Sequence, residues 1–272
     1  MSVAAIAASR PVGRTQYRHG MASRGERTIA EETAIAFTYN RVAHAVMMAT
    51  PADLEDFAVG FSMAEGIIAA PGDIVKLETV EVERGVELRM DISSALAAQL
   101  DARRRHVAGP SGCGLCGLES LEQAMRTPPR VDAALNVTPA MIESAIAALP
   151  ALQRINQLTR AVHAAAFWQP AAGLVALRED VGRHNALDKL AGALARAGIA
   201  AAQGMVLLTS RVSIELVQKV ALMGAPIIVA VSAPTALAVR VADTAGITLI
   251  GVAREDGFEI FTHAGRIAVQ GK

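Results

Sequence analysis

The two cysteines of this chain, Cys113 and Cys116, stand in one run, Gly112-Cys113-Gly114-Leu115-Cys116-Gly117. The thiolate is the reactive form of cysteine, and small neighbours leave both sulfurs uncrowded and open to backbone N–H groups. Glycine before, between and after the pair predicts a loop and not a core position. Three chemistries use C-x-x-C: metal binding, dithiol redox and sulfur relay. A structural zinc site needs four ligands, and the histidines available to complete one, His106, His163 and His184, do not fall at zinc-finger spacing. A redox dithiol usually opens a helix within a βαβ pattern, whereas the segments upstream of this pair read as a hairpin. A relay needs one thiolate that accepts sulfur as a persulfide and passes it on. The bland alternatives are a structural disulfide or two buried thiols. The adjacent run Arg103-Arg104-Arg105-His106 either lowers a thiol pKa or is the solvated end of a helix.

A second dense constellation is Asp180-Val181-Gly182-Arg183-His184-Asn185-Ala186-Leu187-Asp188-Lys189, where a strand gives way to a helix. Helix N-termini offer unpaired N–H groups and partial positive charge, so they attract anions. Arg183 adds a fork suited to phosphate, and His184 and Asp188 share a helix face. The alternative is a capped helix with structural Asp–His or Asp–Arg contacts. Thr209-Ser210-Arg211-Val212-Ser213 and Ser232-Ala233-Pro234-Thr235 also lie between strands and helices, and Ser232 reads as an ordinary cap. Gly251 to Gly257 follows the last strand as a hairpin turn or as a nucleotide-contacting loop. Successive strand ends share one edge of an open α/β sheet, where ligands sit. His163, alone on an apolar segment, reads as a core residue.

These residues must be carried by a scaffold. Lys plus Arg and Asp plus Glu both number 26, and the formal net charge of zero gives no global field for nucleic acid or an anionic membrane. The most apolar run, Ala221 to Val231, is broken by Gly224 and Pro226 and is too short to span a bilayer. No convincing signal peptide opens the chain, and two closely spaced cysteines suit a reducing cytoplasm. Residues 1–25 show little periodicity and read as a flexible tail. Thr28 to Thr38 and Val42 to Met48 predict strands, and Thr50-Pro51-Ala52-Asp53 predicts a helix start with Thr50 as N-cap, ending at Gly66. A hairpin over 75–92 and a helix over 93–105 precede the cysteines, with an amphipathic helix from about Leu118. A boundary falls near Thr127-Pro128-Pro129, and Thr138-Pro139 opens another helix. Beyond it, strands at 174–177, 205–208, 227–231 and 248–252 alternate with helices at 184–197, 212–223 and 234–245. That alternation predicts a largely parallel or mixed sheet with helices on its faces.

Together these segments resemble the formate dehydrogenase accessory sulfurtransferase family (FdhD). The signatures are Thr50-Pro51 with Gly60-Phe61 and Glu65-Gly66, the GCGLCG run, VHAAA (162–166), DVGRHNALDK (180–189), SIELVQK (213–219), VSAPT (231–235), and VAREDG with FTH (252–257 and 261–263). The resemblance implies an α/β fold: a flexible tail over 1–25, a smaller α+β N-terminal domain over 26–130 ending in the Cys loop, and a cytidine-deaminase-like three-layer α/β/α C-terminal domain over 131–272. It implies a sulfurtransferase that carries persulfide sulfur from a cysteine desulfurase to the molybdenum (or tungsten) bis(molybdopterin guanine dinucleotide) cofactor of formate dehydrogenase. The cofactor is then a bound acceptor; no permanently bound cofactor and no resident metal are expected. Cys113 matches the persulfide cysteine and Cys116 its supporting partner. Val252, Ala253, Arg254, Glu255, Asp256 and Gly257 match the cofactor-binding stretch, with Arg183, His184 and Arg211 expected beside it. The implied partners are the desulfurase, the dehydrogenase catalytic subunit and a second copy of the chain. The alternative is a non-catalytic cofactor-binding chaperone, and a zinc or redox protein comes third. Zinc-dependent deamination is disfavoured because Ala165 stands where its proton-shuttling Glu is needed. Relatives usually carry Gly-Gly at Arg160-Ala161, Ser-Gly-Arg at Thr209-Ser210-Arg211, and Gly or Arg at Glu255 and Asp256. Two carboxylates beside a diphosphate are repulsive, so altered or weaker cofactor binding is expected.

Overall fold

The computed structural model describes residues 6–107 (backbone alone over 103–107) and 125–268. Its first elements correct the expectation of a flexible tail. Strands β1 (Ser9–Arg18) and β2 (Met21–Ala30) pair antiparallel as a separate two-stranded ribbon. His19 and Gly20, both at positive φ, make the tight turn between them. No apolar alternation announces these strands because most of both faces is exposed. The strand expected over 28–38 is in fact two, divided at Glu31 and Glu32.

β3 (Thr33–Tyr39) and β4 (Val42–Ala49) form the expected hairpin, turning at Asn40 and Arg41, again both at positive φ. α1 (Leu54–Ala64), β5 (Ile74–Val82) and β6 (Gly85–Ile92) complete a four-stranded sheet in the order β4-β3-β6-β5, with α2 (Ser94–Val107) following. Alternate residues of β3 and β6 point inward against α1. Phe37 packs edge-on to Phe57 at 5.0 Å and meets Phe61 at 4.1 Å, the centre of this core.

Thr50 does not cap α1, contrary to expectation. Asp53 holds the N-cap position in a left-handed conformation without a side-chain cap bond. Thr50 is fully buried and faces the second half of the chain: its N–H donates to Asp180 Oδ2 (3.0 Å) and its Oγ1 accepts from the Val181 N–H (3.1 Å).

That second half contains α3 (Pro139–Leu152), α4 (Arg154–Thr159), β7 (His163–Gln169), β8 (Gly173–Asp180), α5 (Arg183–Arg196), β9 (Met205–Leu208), α6 (Ile214–Met223), β10 (Ile227–Ala230), α7 (Ala236–Thr244), β11 (Thr248–Arg254) and β12 (Gly257–Ile260). Its six-stranded mixed sheet runs β12-β11-β10-β9-β7-β8, with β9, β10 and β11 parallel. β7 runs antiparallel to both β8 and β9. One face buries Leu187, Leu190, Leu216, Val217 and Ala238 of α5–α7, and the other buries Ile142, Ala145 and Leu149 of α3. Burying both faces explains why β9 and β10 are unbroken apolar runs. Gly198, Gly224 and Gly246 end the three helices at positive φ.

The two halves meet where α1 crosses α5. A Cβ on Gly60 would stand 1.7 Å from the Asp188 carbonyl oxygen, and one on Gly192 would stand 1.9 Å from that of Asp56. The paired glycines therefore permit backbone-to-backbone contact. Asp56 adds charge pairing across the crossing, to Arg178 Nη2 at 2.7 Å and to Arg196.

Candidate functional site

β8, β9, β10 and β11 run in one direction, so Asp180, Leu208, Ala230 and Arg254 end at one edge of the sheet. α5, α6 and α7 all begin there. A cleft of about 450 Å³ opens at this edge on the α3 side, a size typical of small-molecule sites. Its sheet wall is His163, Thr209, Val231, Ala253, Arg254 and Glu255; α3, α4 and the segment between them supply Ile146, Pro150, Gln153 and Asn156.

The helical wall is fixed by a buried carboxylate. α4 has no side-chain cap of its own. Glu179 of β8 takes that role, accepting from the Ile155 and Asn156 N–H groups, each at 2.8 Å. The sequence reading missed Gln153 and Asn156; the only available signal was two amides just beyond Pro150, which sits inside α3 near its end.

The adjoining helix start is fixed by a second carboxylate. Asp180, with no exposure, accepts from the Gly182 N–H (2.8 Å) and Asn185 Nδ2 (3.0 Å) on one oxygen, and from the Thr50 N–H (3.0 Å) and Lys189 Nζ (2.6 Å) on the other. Lys189 also donates to the Thr50 carbonyl (2.8 Å) and lies 5.4 Å from the Phe57 ring. Burial lowers the Lys189 pKa, and the Asp180 charge opposes that. Asp188 pairs with Lys219 at 2.6 Å through both oxygens; burial raises its pKa against the Lys219 charge. Four polar members of DVGRHNALDK are thus structural, and Arg183 and His184 are left at the edge.

Arg183 Nε is buried and has no hydrogen-bond partner among the described residues. Its charge reaches His163, whose pKa is lowered first by burial and then by Arg183. His163 is therefore a cleft-wall residue, not the core residue its apolar neighbours suggested. His184 Nε2 lies 2.7 Å from Glu215 Oε2 and 3.5 Å from Ser213 Oγ. Burial drives the His184 pKa down to about 4; Glu215 opposes this, and Arg183 and Lys219 reinforce it. The contact is then a neutral imidazole N–H donating to a carboxylate.

Of the matched stretch 252–257, Ala253, Arg254 and Glu255 line the cleft, with the Ala253 side chain buried in the core. Glu255 and Asp256 form the turn between β11 and β12, whose register shifts between Gly251 and Arg254. Within that bulge Val252 takes a φ of 52°, a costly conformation for a β-branched residue, and Gly257 lies beyond the turn. Arg211 is exposed between β9 and α6, outside the cleft lining. Thr209 Oγ1 accepts from the Ala164 N–H at 2.8 Å. Ser232 caps nothing: Thr235 caps α7 through the Ala238 N–H, and the Ser232 carbonyl accepts from the Val252 N–H. Cys113, Cys116, the helix expected from Leu118 and the His106 side chain lie outside the described residues. Among the described residues no three His, Cys, Asp or Glu side chains are grouped to hold a metal ion, and no helix is long and apolar enough to cross a membrane.

Comparison with known proteins agrees with the sequence signatures. The FdhD/NarQ family pattern matches residues 30–268. The sulfur carrier protein FdhD of Agrobacterium fabrum is 54% identical over 269 residues, covering 98% of this chain and 99% of that protein. The protein of the same name from Cupriavidus necator is 48% identical over 254 residues, covering 93% and 88% respectively. The crystal structure of a candidate formate dehydrogenase accessory protein from Desulfotalea psychrophila superposes with a TM-score of 0.74 at 24% identity, over 96% of this chain and all of that one, which shows a shared fold. On the match over 30–268 and these two relatives, the chain belongs to the FdhD/NarQ family.

Proposed function

We propose that this protein is a sulfur carrier and sulfurtransferase that serves formate dehydrogenase, acting on the guanine-dinucleotide molybdenum cofactor as its substrate. The observation that carries this reading is the strand-end cleft together with Arg183 at the start of α5, whose buried Nε has no partner among the described residues and whose charge reaches the cleft-wall His163. A phosphate accepts naturally from such a donor, and the N-termini of α5, α6 and α7 along the same edge favour negative charge. The cleft has room for one nucleotide arm of the cofactor. Arg254 lies in its wall, and Glu255 beside it weakens phosphate attraction there, so the anchor we assign is Arg183 at the adjoining start of α5. The mixed sheet with helices on both faces supports the cytidine-deaminase-like description of this half.

The Cys113 thiolate attacks the outer sulfur of a persulfide on a cysteine desulfurase. A new S–S bond forms at Cys113 and the donor leaves as its thiolate. Attack by Cys116 on the inner sulfur of the Cys113 persulfide then releases the outer sulfur as hydrosulfide for the cofactor. The two thiols supply the two electrons and are left as a disulfide, which a dithiol reductant reopens. A reducing cytoplasm suits this cycle, and a homodimer is the assembly we expect.

The test is mass spectrometry after incubation with a cysteine desulfurase and cysteine, together with calorimetric titration of GDP. Cys116→Ala should hold one added sulfur on Cys113, wild type should show that persulfide or the Cys113–Cys116 disulfide it resolves to, Cys113→Ala should gain none, and Arg183→Ala should lose GDP affinity. Sulfur on Cys113→Ala but not on Cys116→Ala would reverse the assignment. Full formate dehydrogenase activity in cells carrying both Cys→Ala changes would favour a non-catalytic chaperone.

A further inference from the structure

The β1–β2 ribbon is the least buried part of the described chain. A two-stranded hairpin with little packed on its faces is marginal in water, yet this one runs for ten residues per strand. It is tied only near its root. Ile6 packs into the N-terminal core, the Glu31 N–H donates to the Ala8 carbonyl (2.9 Å), and Arg10 pairs with Glu31 (3.0 Å). Arg27 donates to the carbonyl of Thr159, the last residue of α4 (3.2 Å).

The register decides what each face carries, because paired residues share a face. Arg10, Val12, Arg14, Gln16 and Arg18 fall on one face with Met21, Ser23, Arg27 and Ile29. That face holds four arginines and no carboxylate, in a chain whose formal net charge is zero. At the tip Met21, on this face, is 71% exposed, and Tyr17, on the opposite face with Ala22, is 74% exposed. Tyr, Met and Arg are the side chains that protein interfaces favour.

We propose that this ribbon is a docking arm for the client protein that visits the cleft, its tip gripped between two apolar surfaces of the client, Met21 and the arginine face against one rimmed by carboxylates and Tyr17 on the opposite face against the other; the client's identity as formate dehydrogenase rests on the function proposed above. The arm is rooted on the cleft itself: β2 packs against α4, and α4 contributes Asn156 to the cleft wall. A protein that comes to the cleft meets the ribbon. Ribbon-on-ribbon pairing of two copies would set arginine stripe against arginine stripe. Two apolar side chains are too few to anchor the arm in a bilayer, and an apolar tip gains nothing from a phosphate backbone.

The test uses the full-length chain and purified, cofactor-free formate dehydrogenase catalytic subunit, with affinity read by biolayer interferometry at stepped salt. Tyr17→Ala with Met21→Ala, and Arg14→Glu with Arg18→Glu, should each weaken binding about tenfold or more. The wild-type affinity should fall with salt, and that of the arginine variant should fall less. All four side chains are exposed, so neither variant threatens the fold. Unchanged affinity in either variant, or no binding by wild type, overturns the proposal. So does finding that the variants lose RNA or phosphatidylserine vesicles instead of the subunit, or that they turn a dimer into a monomer in light scattering. GDP titration reads the cleft separately: failure of wild type to bind GDP while the arm variants still lose the subunit would refute the cofactor reading and support the arm.

Discussion

Asp180 is the most demanding single position in the protein. Its two oxygens receive four donors, two of them backbone N–H groups, and one of the others is a lysine with no exposure. Asp180→Asn keeps the shape but replaces one acceptor oxygen with an NH2 group. Whichever way the amide turns, two incoming donors face another donor, and Lys189 loses its counter-charge. Breaking a buried pair from one side costs about 3–5 kcal/mol, a large share of the roughly 5–15 kcal/mol of total stability of a typical domain. With about 2–4 °C per kcal/mol for a chain near this size, thermal unfolding followed by circular dichroism should drop by roughly 6–20 °C. Lys189→Met should cost less, because Asp180 keeps its other three donors. The double variant should cost less than the sum of the two singles, by about 1–3 kcal/mol, since both remove one interaction. GDP affinity should fall with Asp180→Asn, because Gly182 fixes the start of α5 and hence Arg183. A melting point within about 2 °C of wild type, or strictly additive costs, would refute the pairing as the source of this rigidity.

Other positions separate further parts of the structure. His184 has a folded pKa of about 4 against an ordinary 6.5, so the unfolded chain takes up a proton between those values while the folded chain does not; stability should fall as pH drops through that window, and His184→Gln should flatten the slope in urea titrations across it. Gly60→Ala would drive a Cβ to 1.7 Å from the Asp188 carbonyl oxygen, and backbone cannot step aside cheaply; a loss of at least about 3 kcal/mol in urea unfolding is expected. Arg160 ends α4 at a φ of 57°, so Arg160→Gly should raise the melting point slightly, a net gain of up to about 1 kcal/mol after the added freedom of the unfolded glycine; a fall would contradict the strain. Glu179→Ala should speed amide exchange at Ile155 and Asn156 and weaken GDP, while the amides at the start of α5 keep their protection.

Where hydrophobic period and punctuation agree, the sequence is legible. The β9–α6–β10–α7–β11 succession follows its apolar runs, and Gly198, Gly224 and Gly246 stand where the helices stop. Thr138 caps α3 as its Thr-Pro pair predicts, accepting from the Met141 N–H. Legibility fails where long-range contact overrides local pattern. Thr50 has the look of a helix cap, but Asp180 and Val181, some 130 residues away, claim its backbone and hydroxyl. The ribbon is held by ladder hydrogen bonds and two positive-φ residues, neither of which leaves an apolar signature. Arg160 and Ala161, the departure from Gly-Gly, conceal a left-handed turn that glycine would have announced. The cleft's helical wall is hidden because the cap of α4 comes from a strand later in the chain.

That cap belongs to a single device. Glu179 and Asp180 are consecutive in β8, and successive strand residues point to opposite faces of a sheet. Glu179 therefore reaches the α4 side and fixes the wall that carries Asn156, while Asp180 reaches the α5 side and fixes the helix start that carries Arg183. Both carboxylates are buried and both accept backbone N–H groups, so each holds main chain and not merely another side chain. Two adjacent acidic residues at a strand end look, as letters, like catalysts. Here their period of two makes them a bracket whose arms grip both helical layers at the mouth of the cleft. His163, directly opposite Asp180 in the ladder, shares its α5-side face, which is why the charge that reaches it is that of Arg183, while its place at the strand end still borders the cleft.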